Sequence, residues 1–154
     1  MVPDLPGYEP RMPQGDAVRT VTEVALVEPD VPEMYALWRD PLLLAPFVDD
    51  RVTVELLDDV RSRWTFPGPD GNPLSCTAEL IGDIPELVLA WRVADGPLPH
   101  EGRVEFLRHG PGTVSQLTVD LHYRQPPGAD FDADLPRRIL RRTLDNIAVT
   151  TRRH

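Results

Sequence analysis

The order of apolar runs constrains this chain more than any single motif does. A β-branched run comes first, at 18–27. Two short segments with helix-start signals follow, then six strand-like runs broken by turn residues, and last one long amphipathic stretch from about Leu135 to Arg153. The breaks between the six runs are too short for parallel crossovers, which take a dozen or more residues, so neighbours must pair antiparallel. The final stretch is the one element long enough to fill a curved sheet. A sheet that closes on one helix, rather than on a second sheet, often leaves a gap between them. The pattern therefore predicts an α+β fold with an interior place for a small molecule.

Local signals fix the elements. Val18 to Val27 is rich in β-branched residues and reads as a strand. Asp30 with Glu33 has capping-box spacing, and Pro32 suits a first helical turn. Val31, Met34, Tyr35 and Trp38 then share one helical face. Asp40-Pro41 restarts the pattern as an N-cap followed by proline, and Pro46 is expected to stop that second short helix. The six strand runs are Val52–Leu57, Val60–Phe66, Leu74–Ile81, Leu87–Val93, Gly102–Arg108 and Val114–Tyr123, with a turn expected at Gly82 to Glu86. Asp130, Asp132 and Asp134 suit the positive end of the last helix dipole. On that helix Leu140, Leu144, Ile147 and Thr151 form the gripping stripe, with Arg138, Arg141, Arg142, Asp145, Arg152 and Arg153 on the wet side. Residues 1–15, with Pro3, Pro6, Pro10 and Pro13, read as an extended tail ahead of a domain at 16–154.

Composition removes several classes of function. All 16 basic residues are arginine, so a lysine Schiff base or lysine general base is excluded. Before residue 137 the chain has 24 acids against 10 arginines, which argues against nucleic acid as a partner. From Arg137 onward it has six arginines against one aspartate, a basic face that is either solvated or open to an anionic partner. The lone Cys76 cannot form an internal disulfide, no apolar run reaches the ~18 residues of a membrane span, and no secretory leader is evident. A cytoplasmic setting is expected. The four histidines and one cysteine lack metal-ligand spacing, and no phosphate loop or nucleophile elbow is present, so neither a metal nor a cofactor is implied. The residues carry no signal for an oligomeric state.

Strand alternation assigns faces. Ser62, Trp64 and Phe66; Cys76, Ala78 and Leu80; Leu89, Trp91 and Val93; Gly102, Val104 and Phe106; and Ser115, Leu117, Val119, Leu121 and Tyr123 should face the helix. The opposite faces carry Arg61 and Arg63, Ala90 and Arg92, Arg103 and Glu105, and Asp120 and His122. The inward set mixes large rings with small residues. That mixture leaves a pocket walled by rings, or it is the interlocking that close packing demands, and the residues alone allow both. No carboxylate or histidine is expected on the inner face, which favours a neutral apolar ligand over acid–base turnover. Asp120 with His122 reads as a surface pair ahead of an acid–base pair, and His100-Glu101, at the turn into the sixth strand, as turn decoration ahead of the border of a pocket mouth. Cys76 reads as a small core residue rather than a nucleophile.

The chain resembles the START-like SRPBCC superfamily. The likeness lies in Val-Pro-Glu-Met-Tyr-Ala-Leu-Trp-Arg-Asp at 31–40, Ala90-Trp91-Arg92, Gly102-x-Val-x-Phe106, and Gly112-Thr113 leading to Leu117-Thr-Val-Asp-Leu-His-Tyr123. It spans about residues 16 to 153 and points to the branch labelled polyketide cyclase/dehydrase. The resemblance implies a helix-grip fold: seven antiparallel strands wrapped around the C-terminal helix, two small helices closing one end, and an internal hydrophobic cavity. It implies binding of a lipid- or polyketide-like molecule, with cyclase or aromatase chemistry as an alternative. A protein-interaction module built on the arginine face is a third reading. The residues expected to line the cavity are Tyr35, Ser62, Trp64, Phe66, Cys76, Ala78, Trp91, Gly102, Val104, Phe106, Ser115, Leu117, Tyr123, Leu140 and Leu144; no residue is assigned a catalytic role.

Overall fold

The computed structural model describes residues 18–68, 70–110, 114–124 and 134–151, with residues 149–151 described by their backbone alone. The proline-spaced segment 1–15, Asp130, Asp132, Arg152, Arg153 and the Thr151 side chain lie outside the described residues. Strand β1 (Val18–Val27) leads into helices α1 (Val31–Arg39) and α2 (Pro41–Val48). Strands β2 (Thr53–Leu56), β3 (Arg61–Pro67), β4 (Pro73–Ile84), β5 (Val88–Val93), β6 (His100–Arg108) and β7 (Ser115–Arg124) follow, and α3 (Leu135–Thr151) ends the chain. The strands form one seven-stranded antiparallel sheet in the order β1-β7-β6-β5-β4-β3-β2. β1 and β2 therefore lie on opposite edges. The chain crosses between them through α1 and α2, then meanders back until β7 pairs with β1.

The short helices hold because their ends are capped. The Asp30 carboxylate accepts the Glu33 backbone N–H at 3.2 Å, and Asp40 accepts that of Leu42 at 3.0 Å. Pro46 does not stop α2, contrary to the sequence reading; the helix runs on to Val48. Proline forfeits one hydrogen bond there, but the Asp49 N–H reaches the Ala45 carbonyl at 3.2 Å and closes the last turn. Asn146 on α3 donates to the Phe47 carbonyl at 2.8 Å, so a further free end of α2 is met by the long helix.

One contiguous core joins Val21, Ala25 and Val27 of β1, Val31 and Met34 of α1, the inner faces of β5–β7, and Leu140, Leu144 and Ile147 of α3. Leu144 and Ile147 are fully enclosed. α3 packs on β1 and α2. Its wet side is less free than expected. Glu23 lies on the inner face of β1, where it accepts Arg137 Nη1 at 2.6 Å and Arg141 Nη1 at 3.4 Å. Arg141 also donates to the Val24 carbonyl at 3.3 Å, so it ties the helix to the edge strand. The long arginine stem lets a residue on the flank of the helix reach back to the sheet.

The outer face also departs from simple alternation. Val88 and Ala90 are fully buried there, with Ile81 and Ile84 packed against them, a second apolar cluster away from α3. Asp120 and His122 share that outer face, where Thr22 donates to Asp120 at 2.6 Å and the Thr20 hydroxyl lies 3.0 Å from His122 Nδ1. Removing the central stripe residue should test the grip directly. Leu144→Ala should cost about 2–5 kcal/mol in urea unfolding. Arg141→Ala, whose side chain keeps 39% of its exposure, should cost no more than about 1 kcal/mol.

Candidate functional site

A β-bulge decides what the inner face carries. The pairing of β4 with β5 shifts between Leu80, opposite Trp91, and Gly82, opposite Ala90. Before the shift, Cys76, Ala78 and Leu80 face the core. After it Asp83, opposite Leu89, takes the inner side, as an extra residue in a strand reverses the faces beyond it. β4 thus runs through the expected turn at Gly82 to Ile84. The absence of an inward carboxylate or histidine on β3–β7, expected from alternation, is overturned twice: by Asp83 and by His100.

Asp83 is held by α1. The Tyr35 hydroxyl donates to Asp83 Oδ1 at 2.6 Å and Arg39 Nε donates to Oδ2 at 3.0 Å. Arg39 Nη2 also reaches the Asp59 carbonyl at 3.3 Å, so one guanidinium joins α1 to the β2–β3 turn and to β4. Desolvation, reinforced by the bond to the Asp83 carboxylate, pushes the Tyr35 phenol up to about 12. Tyr35 is a neutral donor here rather than an acid. Its ring meets that of Phe106 edge-on at 6.0 Å.

His100 begins β6 two residues before Gly102 and so shares its inner face. Nδ1 lies 2.9 Å from the Leu98 carbonyl, and Nε2 lies 3.3 Å from the Trp91 indole nitrogen. A carbonyl can only accept, so Nδ1 carries the proton and Nε2 accepts from Trp91. Burial lowers the pKa of His100 and keeps it in this neutral form. The imidazole is a bracket for Trp91. That indole lies over Gly102, its cross-strand partner, where an added Cβ would stand 2.2 Å from a ring carbon. The gap expected at Gly102 is therefore filled by Trp91. Cys76 is covered similarly: at Gly96, whose φ is +79°, an added Cβ would come within 2.8 Å of the Cys76 Cβ. Desolvation, with a lesser contribution from Asp95, pushes the Cys76 thiol up to about 11, so it is no thiolate nucleophile at neutral pH.

The other candidates separate into two groups. Val104, Phe106, Leu117, Tyr123, Leu140 and Leu144 belong to the closed core. Ser115 is also enclosed, and its hydroxyl donates to the Pro29 carbonyl at 2.6 Å, pinning the corner between β1 and α1. Ser62, Trp64, Phe66, Cys76 and Ala78 stand outside that core, on β3 and β4. Trp64 and Phe66 stack at 6.3 Å and remain partly exposed; Trp64 donates to the Ser62 hydroxyl at 3.0 Å. Ala78, between Ser62 and Val93 in the register, is half-buried. The reason is width. Strands about 4.8 Å apart make a seven-stranded sheet roughly 30 Å across, and a helix covers only about 10 Å of it.

Sequence reasoning missed Asp83 and Arg39, gave Trp38 only a place on the packed face of α1, and read His100 first as turn decoration. His100 was legible, because counting back two from Gly102 gives its face. Asp83 was not, because no residue type marks the bulge. On the opposite face an open groove of about 290 Å³ is lined by Arg61, Thr77, Glu79, Arg92, Ala94 and Asp95. Its charges are met within the protein: Arg92 pairs with Glu79 at 3.1 Å, Arg61 with Asp58 at 2.7 Å, and Asp95 accepts the Thr77 N–H. Among the described residues no three of His, Cys, Asp and Glu gather as a metal site, and no helix is long and apolar enough to cross a membrane.

Comparison with solved structures identifies the architecture. A structural-genomics protein of Deinococcus radiodurans is 28% identical, with a TM-score of 0.62 over 87% of this chain and 95% of its own. A Bacillus thuringiensis protein aligns at 12% identity and TM-score 0.70, over 86% and 98% of the two chains. Major latex-like protein 151 of Panax ginseng aligns at 13% identity and TM-score 0.66, over 87% and 97%. The chain shares the helix-grip, Bet v 1-like fold of these proteins. No family model matches the chain, and no curated protein matches it.

Two substitutions probe the bracket. Gly102→Ala should displace the Trp91 indole and destabilise the fold by about 1–3 kcal/mol, measured by urea melts and by a shift in tryptophan emission. His100 has a folded pKa below its ordinary 6.5, so the unfolded chain binds the extra proton. Its contribution is complete above about 6.5 and is lost as pH falls toward the depressed value. His100→Gln should therefore flatten the stability–pH slope of the wild type below about pH 6.5.

Proposed function

We propose that this protein binds a small hydrophobic molecule between its helices and the β3–β5 side of the inner sheet face. The observation that supports this most is the partly exposed wall of Trp64, Phe66 and Ala78, which stands on the inner face yet outside the packed core. Aromatic walls with few polar groups suit apolar ligands. The polar groups nearby are already engaged: Asp83 by Tyr35 and Arg39, His100 by Leu98 and Trp91. These partners tie helix to sheet and ring to strand, and this structural employment supports binding ahead of cyclase-type turnover. The arginine-face reading draws less support, since Arg137 and Arg141 pair with Glu23, and Arg142 Nη1 lies 3.9 Å from Asp49.

The test is saturable uptake of a neutral fluorescent probe, N-phenyl-1-naphthylamine, with native mass spectrometry of the purified protein to reveal co-purified ligand. Ala78→Phe should fill the space and abolish uptake in a protein that still melts cooperatively. Asp120→Asn and His122→Ala, on the opposite face, should leave uptake unchanged. Undiminished uptake by folded Ala78→Phe would place the ligand elsewhere. A tenfold loss in either outer-face variant would mean that the binding face is the other one.

A further inference from the structure

Among the polar groups of the inner surface, the indole nitrogen of Trp38 is unlike the rest. The Nε1 atom is buried from solvent and has no acceptor among the described residues. Trp38 sits on the core-facing side of α1, packed against the main cluster, with its ring 6.4 Å from that of Trp91 and tilted by 31°. The polar groups on this side of the sheet are bonded elsewhere. The Nε2 lone pair of His100 is taken by Trp91, and Nδ1 of that ring carries its proton toward Leu98. The two Asp83 oxygens are engaged by Tyr35 and Arg39. Indole is a donor only, and a buried donor left unmet is costly, so few persist without a role.

We infer that Trp38 Nε1 is the polar anchor of the ligand site, and that the site takes an uncharged hydrophobic molecule bearing a hydrogen-bond-accepting oxygen of the carbonyl type. This inference rests on the binding reading above and narrows it. The charge of the preferred ligand follows from the surroundings. Arg39, the cation on the same helix, is committed to Asp83 and to the Asp59 carbonyl, and His100 is held neutral. A ligand carboxylate here would be buried near the Asp83 carboxylate with no cation left to meet it, which is costly. A pure hydrocarbon would leave the indole donor unsatisfied. A ketone, ester or quinone oxygen avoids both penalties.

Three probes of similar shape separate these cases: 2-acetylnaphthalene, 2-isopropylnaphthalene and 2-naphthoate, titrated by fluorescence at pH 8. Wild-type protein should bind the ketone at least tenfold more tightly than the carboxylate. Trp38→Phe should weaken the ketone about tenfold and leave the hydrocarbon within about twofold. Replacing Trp38 by its benzothiophene analogue, which keeps the ring and lacks the N–H, should do the same. A second measurement holds even where Trp38→Phe fails to fold. In wild-type protein with ¹⁵N-labelled indoles, the ketone should shift the Trp38 N–H resonance downfield and the hydrocarbon should not. Equal losses for ketone and hydrocarbon, or an unmoved Trp38 resonance in the ketone complex, would overturn the anchor and leave the binding reading standing. Failure of all three probes to bind the wild type would overturn both.

Discussion

One helix has to serve a sheet three times its width. Almost everything else in this fold answers that mismatch. α3 spends its apolar stripe on β1 and its neighbours, where Leu144 and Ile147 vanish from solvent. α1 and α2, on their way between the two sheet edges, cover more of the inner face, and α2 is met by α3 through Asn146. The inner face of β3 and β4 is left with partly exposed rings. A hydrophobic surface bordered by closed core on one side is where an apolar molecule gains most by leaving water.

The inner polar groups follow one rule: each is consumed by a structural task. Asp83, Tyr35 and Arg39 clasp α1 to β4; His100 orients Trp91; Ser115 pins the first corner; Glu23 gathers two arginines of α3. Low local dielectric strengthens such bonds and penalises their loss. The same rule makes Trp38 conspicuous.

Small residues on the inner face have two physical meanings here. Gly102 is small because an indole lies on it, and Cys76 because the Gly96 backbone passes over it. Both are interlocks of the kind that dense interiors require. Ala78, between Ser62 and Val93 in the register, stays half-buried. The distinction between interlock and pocket is therefore made residue by residue, and composition alone does not draw it.

The element order was legible in the chain, because strand alternation, capping residues and turn chemistry act over a few residues. β1 begins and ends where its β-branched run does, Asp30 and Asp40 cap as their spacing implies, and the stripe Leu140, Leu144 and Ile147 is the buried face of α3. His100 was within reach of the same counting, had the strand been begun two residues earlier. What lay beyond the sequence was whatever depended on pairing at a distance. The bulge near Ile81 turns Asp83 inward, and nothing in the residues announces it, because a bulge is set by how two strands register. Arg141 leaves the wet face because Glu23, over a hundred residues away, stands within its reach. The orphan on Trp38 is likewise a tertiary fact: among the described residues the folded chain brings no acceptor to its indole nitrogen. Local periodicity fixes which residues can be neighbours along an element; the competition among donors and acceptors is decided in three dimensions.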